Sequence, residues 1–175
     1  MKIVLAPDSF KGSLSSVQAA SAMEKGIRKA VYDAQIEKVC IADGGEGTVE
    51  AIVSMTKGQY VHTKVEGPLG EQVDAVWGLC TTEKGKTAVI EMAAASGILI
   101  TPQDKRNVKK ASTFGTGQLI KAALDSGASC IIIGIGGSAT NDGGAGMAQA
   151  LGARFYDREG KILPKGGEAL SKLHS

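Results

Sequence analysis

Residues 134–147 read Gly134-Ile135-Gly136-Gly137-Ser138-Ala139-Thr140-Asn141-Asp142-Gly143-Gly144-Ala145-Gly146-Met147, six glycines packed around four polar side chains. The run before them, Cys130-Ile131-Ile132-Ile133, is short, apolar throughout and mostly β-branched, the pattern of a strand covered on both faces. After them Met147, Ala150 and Leu151 fall at i, i+3 and i+4, and Gly152 stands where a left-handed C-terminal cap is expected. A strand that enters a helix through such a loop offers free N–H groups and the positive end of a helix dipole, a physical solution for holding phosphate or carboxylate. The GxxxxGK[ST] phosphate loop is absent, and Ala139 interrupts the dinucleotide GxGxxG pattern.

The rest of the chain repeats strand, loop and helix. Lys2–Leu5 reads as a first strand, and Ser15 with Gln18 as a capping box for a helix carrying Val17, Ala20, Met23, Ile27 and Val31 at helical spacing. Residues 36–41 read as a second strand, followed by Asp43-Gly44-Gly45-Glu46-Gly47-Thr48 and a short helix with Val49, Ile52 and Val53 on one face. Three β-rich runs at about 60–66, 72–80 and 86–92 are joined by hairpin turns at Gly67-Pro68-Leu69-Gly70 and Glu83-Lys84-Gly85-Lys86. From Ser112 the α/β order returns, with a helix through Leu119, Ile120, Ala123 and Leu124 that ends near Gly127. The expected fold is α/β: a three-layer, mostly parallel sheet over residues 1–58, and a second α/β domain over 59–175 with an antiparallel β insertion at 60–92.

Polar residues fall where such sheets bind ligands, at the carboxyl ends of strands. Asp8 follows the first strand, Asp43 and Glu46 the second, Glu91 the last hairpin strand, and Asn141 and Asp142 the Ile131–Ile133 strand. Several carboxylates around a glycine-rich anion cradle repel a phosphate unless a cation neutralises them, which points to Mg2+ and a nucleotide or sugar phosphate. A net charge of +2 with only 4% aromatic residues argues against nucleic acid as a partner. No apolar run approaches the ~20 residues of a membrane span. Three cysteines, Cys40, Cys80 and Cys130, lack metal-type spacing and read as reduced cysteines of a cytoplasmic protein.

Four motifs then resemble a known family. Ala6-Pro7-Asp8-Ser9-Phe10-Lys11-Gly12-Ser13-Leu14-Ser15, Ala42-Asp43-Gly44-Gly45-Glu46-Gly47-Thr48, Glu91-Met92-Ala93-Ala94-Ala95-Ser96-Gly97 and Gly136-Gly137-Ser138-Ala139-Thr140-Asn141-Asp142-Gly143-Gly144 are similar, in that order, to the bacterial glycerate kinase family of glyoxylate and glucarate utilisation. The resemblance implies transfer of the γ-phosphoryl group of ATP to glycerate, at its 2-hydroxyl, with Mg2+. It also implies a flavodoxin-like domain with a second domain inserted into it. Family members are nearly twice as long, so the chain reads as an amino-terminal half. Alone, its first sheet is expected to show an open edge and an uncovered face, to be met by a second copy or by the missing half.

On phosphoryl-transfer logic, Gly136, Gly137, Ser138, Asn141, Gly143 and Gly144 are the expected ATP cradle. Asp8, Lys11, Asp43 and Asp142 are the expected catalytic residues. Lys11 would pair with a phosphate or the glycerate carboxylate. Asp43 and Asp142 would enter the Mg2+ shell and Asp8 would orient or deprotonate the hydroxyl, the three roles being interchangeable. Ser9, Glu46, Glu91, Ser96 and Thr116 are expected against the substrate. Asp142→Asn is expected to cut turnover and leave the fold intact. The alternative is a non-catalytic half that binds nucleotide or a partner.

Overall fold

The computed structural model describes residues 1–10 and 13–175; Lys11 lies outside them. The chain is α/β and forms two sheets. The first is a parallel pair, β1 (Lys2–Leu5) and β2 (Gln35–Lys38), in register from Lys2 opposite Gln35 to Leu5 opposite Lys38. Helix α1 (Ser16–Ala30) connects them. Its capping box is present: the Ser15 hydroxyl accepts the Gln18 N–H at 3.3 Å, and Gln18 Oε1 accepts the Ser15 N–H at 3.0 Å. β2 is shorter than its apolar pattern suggested because a strand persists only while its partner does. β1 stops before Pro7, which has no N–H to donate.

This first unit is thinly covered. Leu5, Ala19 and Ala20 are buried, but Val4, on the opposite sheet face from Leu5, is 55% exposed, and Met23 on α1 is exposed too. Among the described residues this face of the first sheet is therefore uncovered.

The second sheet has the order β3 (Gln59–Glu66), β4 (Gln72–Thr82), β5 (Gly85–Glu91), β6 (Cys130–Gly134). The first three strands are antiparallel, and β6 joins β5 in parallel with Glu91 opposite Gly134. The predicted hairpin run and the later apolar strand thus share one sheet. Helices α3 (Ala93–Ser96) and α4 (Phe114–Asp125) follow β5, and α5 (Ala145–Ala150) follows β6.

Period-2 alternation sorts this sheet's side chains into two layers. Val65, Trp77, Leu79, Ala88 and Ile90 pack with Leu119, Ile120 and Ala123 of α4. On the other face Cys80 and Val89 pack with Val49 and Val53 of α2 (Thr48–Thr56). Burial of Trp77 requires a partner for its indole N–H, and Thr63 Oγ1 accepts it at 2.9 Å. The expected division at residue 58 falls just after α2, yet α2 packs on β4 and β5 of the second sheet.

β6 corrects one expectation. Its continuous apolar run was read as a strand covered on both faces, but β6 is an edge strand and Ile132 is 40% exposed. Sequence pattern alone does not separate a central strand from an edge strand that is apolar on both sides. Among the described residues, no helix is long and apolar enough to cross a membrane.

Candidate functional site

Two loops cross at the carboxyl ends of β5 and β6. The Gly136 N–H donates to the Gly44 carbonyl at 2.9 Å, and the Met92 N–H donates to the Gly134 carbonyl at 2.9 Å. A side chain at Gly136 would place its Cβ 2.7 Å from Gly45 Cα, so the crossing is backbone on backbone and tolerates only glycine. The close approach that the glycines permit at 134–136 is therefore to residues 44–45.

Each side of the crossing is braced by a carboxylate. Asp43 Oδ1 accepts the Gly45 N–H at 2.9 Å, shaping the turn. Glu91 Oε1 accepts the Val49 N–H at 2.8 Å, from a residue 42 positions earlier in the chain. Gly47, at the N-cap of α2, has no side chain for capping, and Glu91 supplies the cap from β5. Burial pushes the Glu91 carboxyl above the usual glutamate range; hydrogen bonds from Val49 and Gly47 oppose that rise, and the neighbouring charge of Glu46 adds to it.

Two adjoining cavities of about 590 Å³ each open beside this crossing and share Glu46, Glu91, Ala94 and Ile100. One reaches Ser9, Phe10 and Tyr60; the other reaches Asp43, Leu99, Gly136 and Gly137. Of the site residues expected from sequence, the cleft gathers Ser9, Asp43, Glu46, Glu91, Gly136 and Gly137. Asp8 is exposed, accepts the Ser9 N–H at 2.7 Å, and lines neither cavity.

Asp142 is placed differently from its expected role in the Mg2+ shell or the chemistry. It is 1% exposed. Its Oδ2 accepts the N–H groups of Thr113 at 2.8 Å and Gly146 at 3.2 Å, and the Ser112 hydroxyl at 3.3 Å. Its Oδ1 accepts the Gly144 N–H at 3.1 Å, and the Thr113 hydroxyl lies 3.0 Å from both oxygens. A carboxylate so enclosed ties the start of α4 to the start of α5 and leaves no lone pair directed at a ligand.

Ser96 and Thr116 are likewise buried, at 0% and 1% exposure, and hydrogen-bond each other at 2.8 Å between α3 and α4. They hold the scaffold and do not face the cleft. Asn141 and Gly143 are exposed, and the Gly167 and Leu170 region lies against them. Gly144 sits at φ 78°, a left-handed cap for α5. The expected cradle is therefore divided: Gly136 and Gly137 face the acidic cleft, Ser138 lies on the opposite side, and Asn141 to Gly144 form the far end of the loop.

Sequence reasoning missed three features here. Ile98, Leu99 and Ile100 are all exposed and line the cleft; consecutive apolar residues outside a strand or helix were the available signal. Thr140 pairs with Ser138, hydroxyl to hydroxyl, at 2.8 Å. Arg106, embedded in the basic run Lys105-Arg106-Asn107-Val108-Lys109-Lys110, comes beside that pair, and no spacing rule pointed to it.

A divalent cation would meet hard oxygen donors at Asp43 and Glu46. Among the described residues, no group of three acidic, histidine or cysteine side chains forms a complete metal site. That pattern suits an ion held by one or two carboxylates and by the ligand's own oxygens.

Comparison with known proteins agrees with the four motifs. The chain is 56% identical over 175 residues to the glycerate kinase of Bacillus subtilis (strain 168), covering 100% of this chain and 45% of that protein. It is 56% identical over 174 residues to the glycerate 2-kinase of Escherichia coli (strain K12), covering 99% of this chain and 45% of that protein. A crystal structure assigned as glycerate kinase 2 of Salmonella typhimurium LT2 superposes with a TM-score of 0.84 at 54% identity, covering 100% of this chain and 47% of that one. The chain thus spans under half the length of the curated relatives it matches. The sequence model of the glycerate kinase family matches residues 3–175, and the chain belongs to that family.

Proposed function

We propose that the cleft between the 43–47 loop, the end of β5 and Gly136–Gly137 binds ATP and glycerate, and that the γ-phosphoryl group passes to the glycerate 2-hydroxyl to give 2-phosphoglycerate. The observation that carries this reading is the convergence of Asp43, Glu46 and Glu91 with a glycine-rich crossing at the carboxyl ends of two parallel strands. The glycerate 2-kinase similarity favours the 2-hydroxyl.

In this mechanism a hydroxyl oxygen of glycerate bonds to the γ-phosphorus, the bond from that phosphorus to the ADP oxygen breaks, and the hydroxyl proton passes to a carboxylate. Bound Mg2+ supplies neutralisation of phosphate charge, with Asp43 and Glu46 as the residues that would hold it. Of Asp8 and Asp43, only Asp43 lines the cleft, and it orients the hydroxyl and takes its proton late in a loose transition state. Ser9 contributes a hydroxyl to the cleft wall. Glu91 positions the 43–48 segment by capping α2, and Asp142 positions the glycine-rich loop from beneath. The exposed Ile98–Ile100 lip shields the reacting groups from water. The same reading makes this a cytoplasmic enzyme, consistent with three free cysteines. It also places the division between the two units in the 39–47 loop, since α2 belongs with the second sheet by packing.

The test is glycerate-dependent ADP release by the purified chain with Mg-ATP over a wide range of protein concentration. Proportional turnover supports a self-sufficient site, and specific activity that rises with concentration supports association of two copies. Because the chain spans 45% of its relatives' length, a second reading is a nucleotide- or partner-binding half. A folded, monodisperse sample that binds ADP without turnover supports that reading instead.

A further inference from the structure

A third cavity, of about 350 Å³, lies on the other side of the glycine-rich segment from the acidic cleft. The two adjoin at Ile98, and the segment passes from one to the other at a turn: Gly136 and Gly137, the latter at φ 73°, line the cleft, and Ser138, Ala139 and Thr140 line the third cavity. The segment is held in place by a bridge to Gly97, in which the Ile98 N–H donates to Gly137 O and the Ala139 N–H donates to Ser96 O, each at 2.9 Å.

The two sides differ in charge. Asp43, Glu46 and Glu91 line the cleft, whereas no carboxylate lines the third cavity and Arg106 does. The guanidinium is fixed by two backbone carbonyls, Nε donating to Thr101 O at 3.3 Å and Nη2 to Ile98 O at 3.1 Å. Arginine carries five N–H donors in a rigid fork, so several remain without a protein acceptor among the described residues. In the same cavity Ser138 Oγ accepts the Thr140 N–H at 3.0 Å and lies 2.8 Å from Thr140 Oγ1 and 3.4 Å from the Thr140 carbonyl oxygen; with Ser138 donating across the shorter contact, the Thr140 hydroxyl hydrogen is left to donate into the cavity. A preset guanidinium that lines one cavity with a hydroxyl pair, with no carboxylate in that lining, suits a planar or tetrahedral oxyanion.

We propose that Arg106, Ser138 and Thr140 form an oxyanion subsite, which takes either the carboxylate of the hydroxy acid or a phosphate group of the nucleotide. The proposal deepens the kinase reading and rests on it for the choice between these ligands. The turn at Gly137 then has a functional meaning: charge neutralisation on the Gly136–Gly137 side, anion recognition on the Ser138–Thr140 side.

The experiment follows backbone amide shifts of the 15N-labelled chain during titration with inorganic phosphate, glycerate and ADP in turn, all without divalent metal. The expected result is saturable movement of the Ser138, Ala139 and Thr140 amides. Glycerate acting at the lowest concentration assigns the carboxylate, and ADP or phosphate assigns the phosphate group. Arg106→Gln should weaken that binding by about tenfold or more, and Arg106→Lys should recover only part of it, because a lysine cannot reproduce the fork. Thermal unfolding of each variant monitors the loss of the Thr101 and Ile98 contacts separately. Unmoved 138–140 amides in the unmodified chain overturn the proposal, as does equal affinity in a folded Arg106→Gln variant. Neither result depends on turnover: ADP release can fail while the subsite binds, and turnover with an Arg106-independent response overturns the subsite alone.

Discussion

Replacing Asp142 with asparagine separates a catalytic carboxylate from a structural one. Its oxygens accept three backbone N–H groups and lie against two hydroxyls inside a pocket closed to solvent. An asparagine has one acceptor oxygen. Its best orientation puts that oxygen where Oδ2 stands, keeping the Thr113 and Gly146 N–H groups paired, and turns the amide nitrogen towards the Gly144 N–H. That donor loses its partner at a cost of about 1–3 kcal/mol, and the remaining bonds fall from charge-assisted to neutral strength, for about 1 kcal/mol more. A loss of about 3 kcal/mol is a large share of the ~5–15 kcal/mol that holds a domain folded. For a chain of this size it lowers the unfolding midpoint by about 6–12 °C. Thermal unfolding followed by circular dichroism measures it directly. A midpoint within about 2 °C of the unmodified chain, with turnover lost, would refute the structural assignment and return Asp142 to the reaction.

Glu91 and Gly136 offer separate checks. Because burial raises the Glu91 pKa in the folded chain, the native state keeps a proton that the unfolded state releases, so this residue's contribution to stability declines as pH rises from the ordinary glutamate value through the raised one. Urea unfolding across that window should show the decline in the unmodified chain and a flatter profile in Glu91→Gln; identical slopes would show that another group is responsible. Comparing the two chains cancels the opposite contributions of Glu24 and Glu37, whose lysine and arginine partners lower their pKa values. Glu91→Ala should cost about 1 kcal/mol through loss of the α2 cap, read from the same curves at the acidic end of that window, where the Glu91 contribution is fully present. Gly136→Ala drives a methyl group into Gly45 and should destabilise the chain by about 1–3 kcal/mol, with faster hydrogen exchange at the Gly136 amide. Unchanged exchange would mean that the two loops do not depend on each other.

Much of the fold was legible because it rests on local chemistry. The Ser15–Gln18 box, the hairpin turns at residues 67–70 and 83–86, and the glycine stops at 127 and 152 each follow from the conformational preferences of a few neighbouring residues. The candidate cleft was legible at Glu91, Gly136 and Gly137, because the carboxyl ends of the neighbouring parallel strands β5 and β6 bring them together, and at Asp43 and Glu46 because they too follow a parallel strand, β2 of the first sheet. Asp142, Ser96 and Thr116 were misplaced for one reason. A polar residue in a functional motif has the same letter whether it faces ligand or closes a buried hydrogen-bond network, and partners that close these networks include residues 20–30 positions away.

The amino-acid order by itself determined the element sequence, the two sheet rhythms, the glycine-rich junction after β6 and the family. Only the tertiary structure decided that β6 is an edge, that α2 covers the second sheet, that the glycines let two loops cross, and that Arg106 lines one cavity with Ser138. Those facts depend on which surfaces meet, and close packing between segments far apart in sequence leaves no periodic trace in either segment alone.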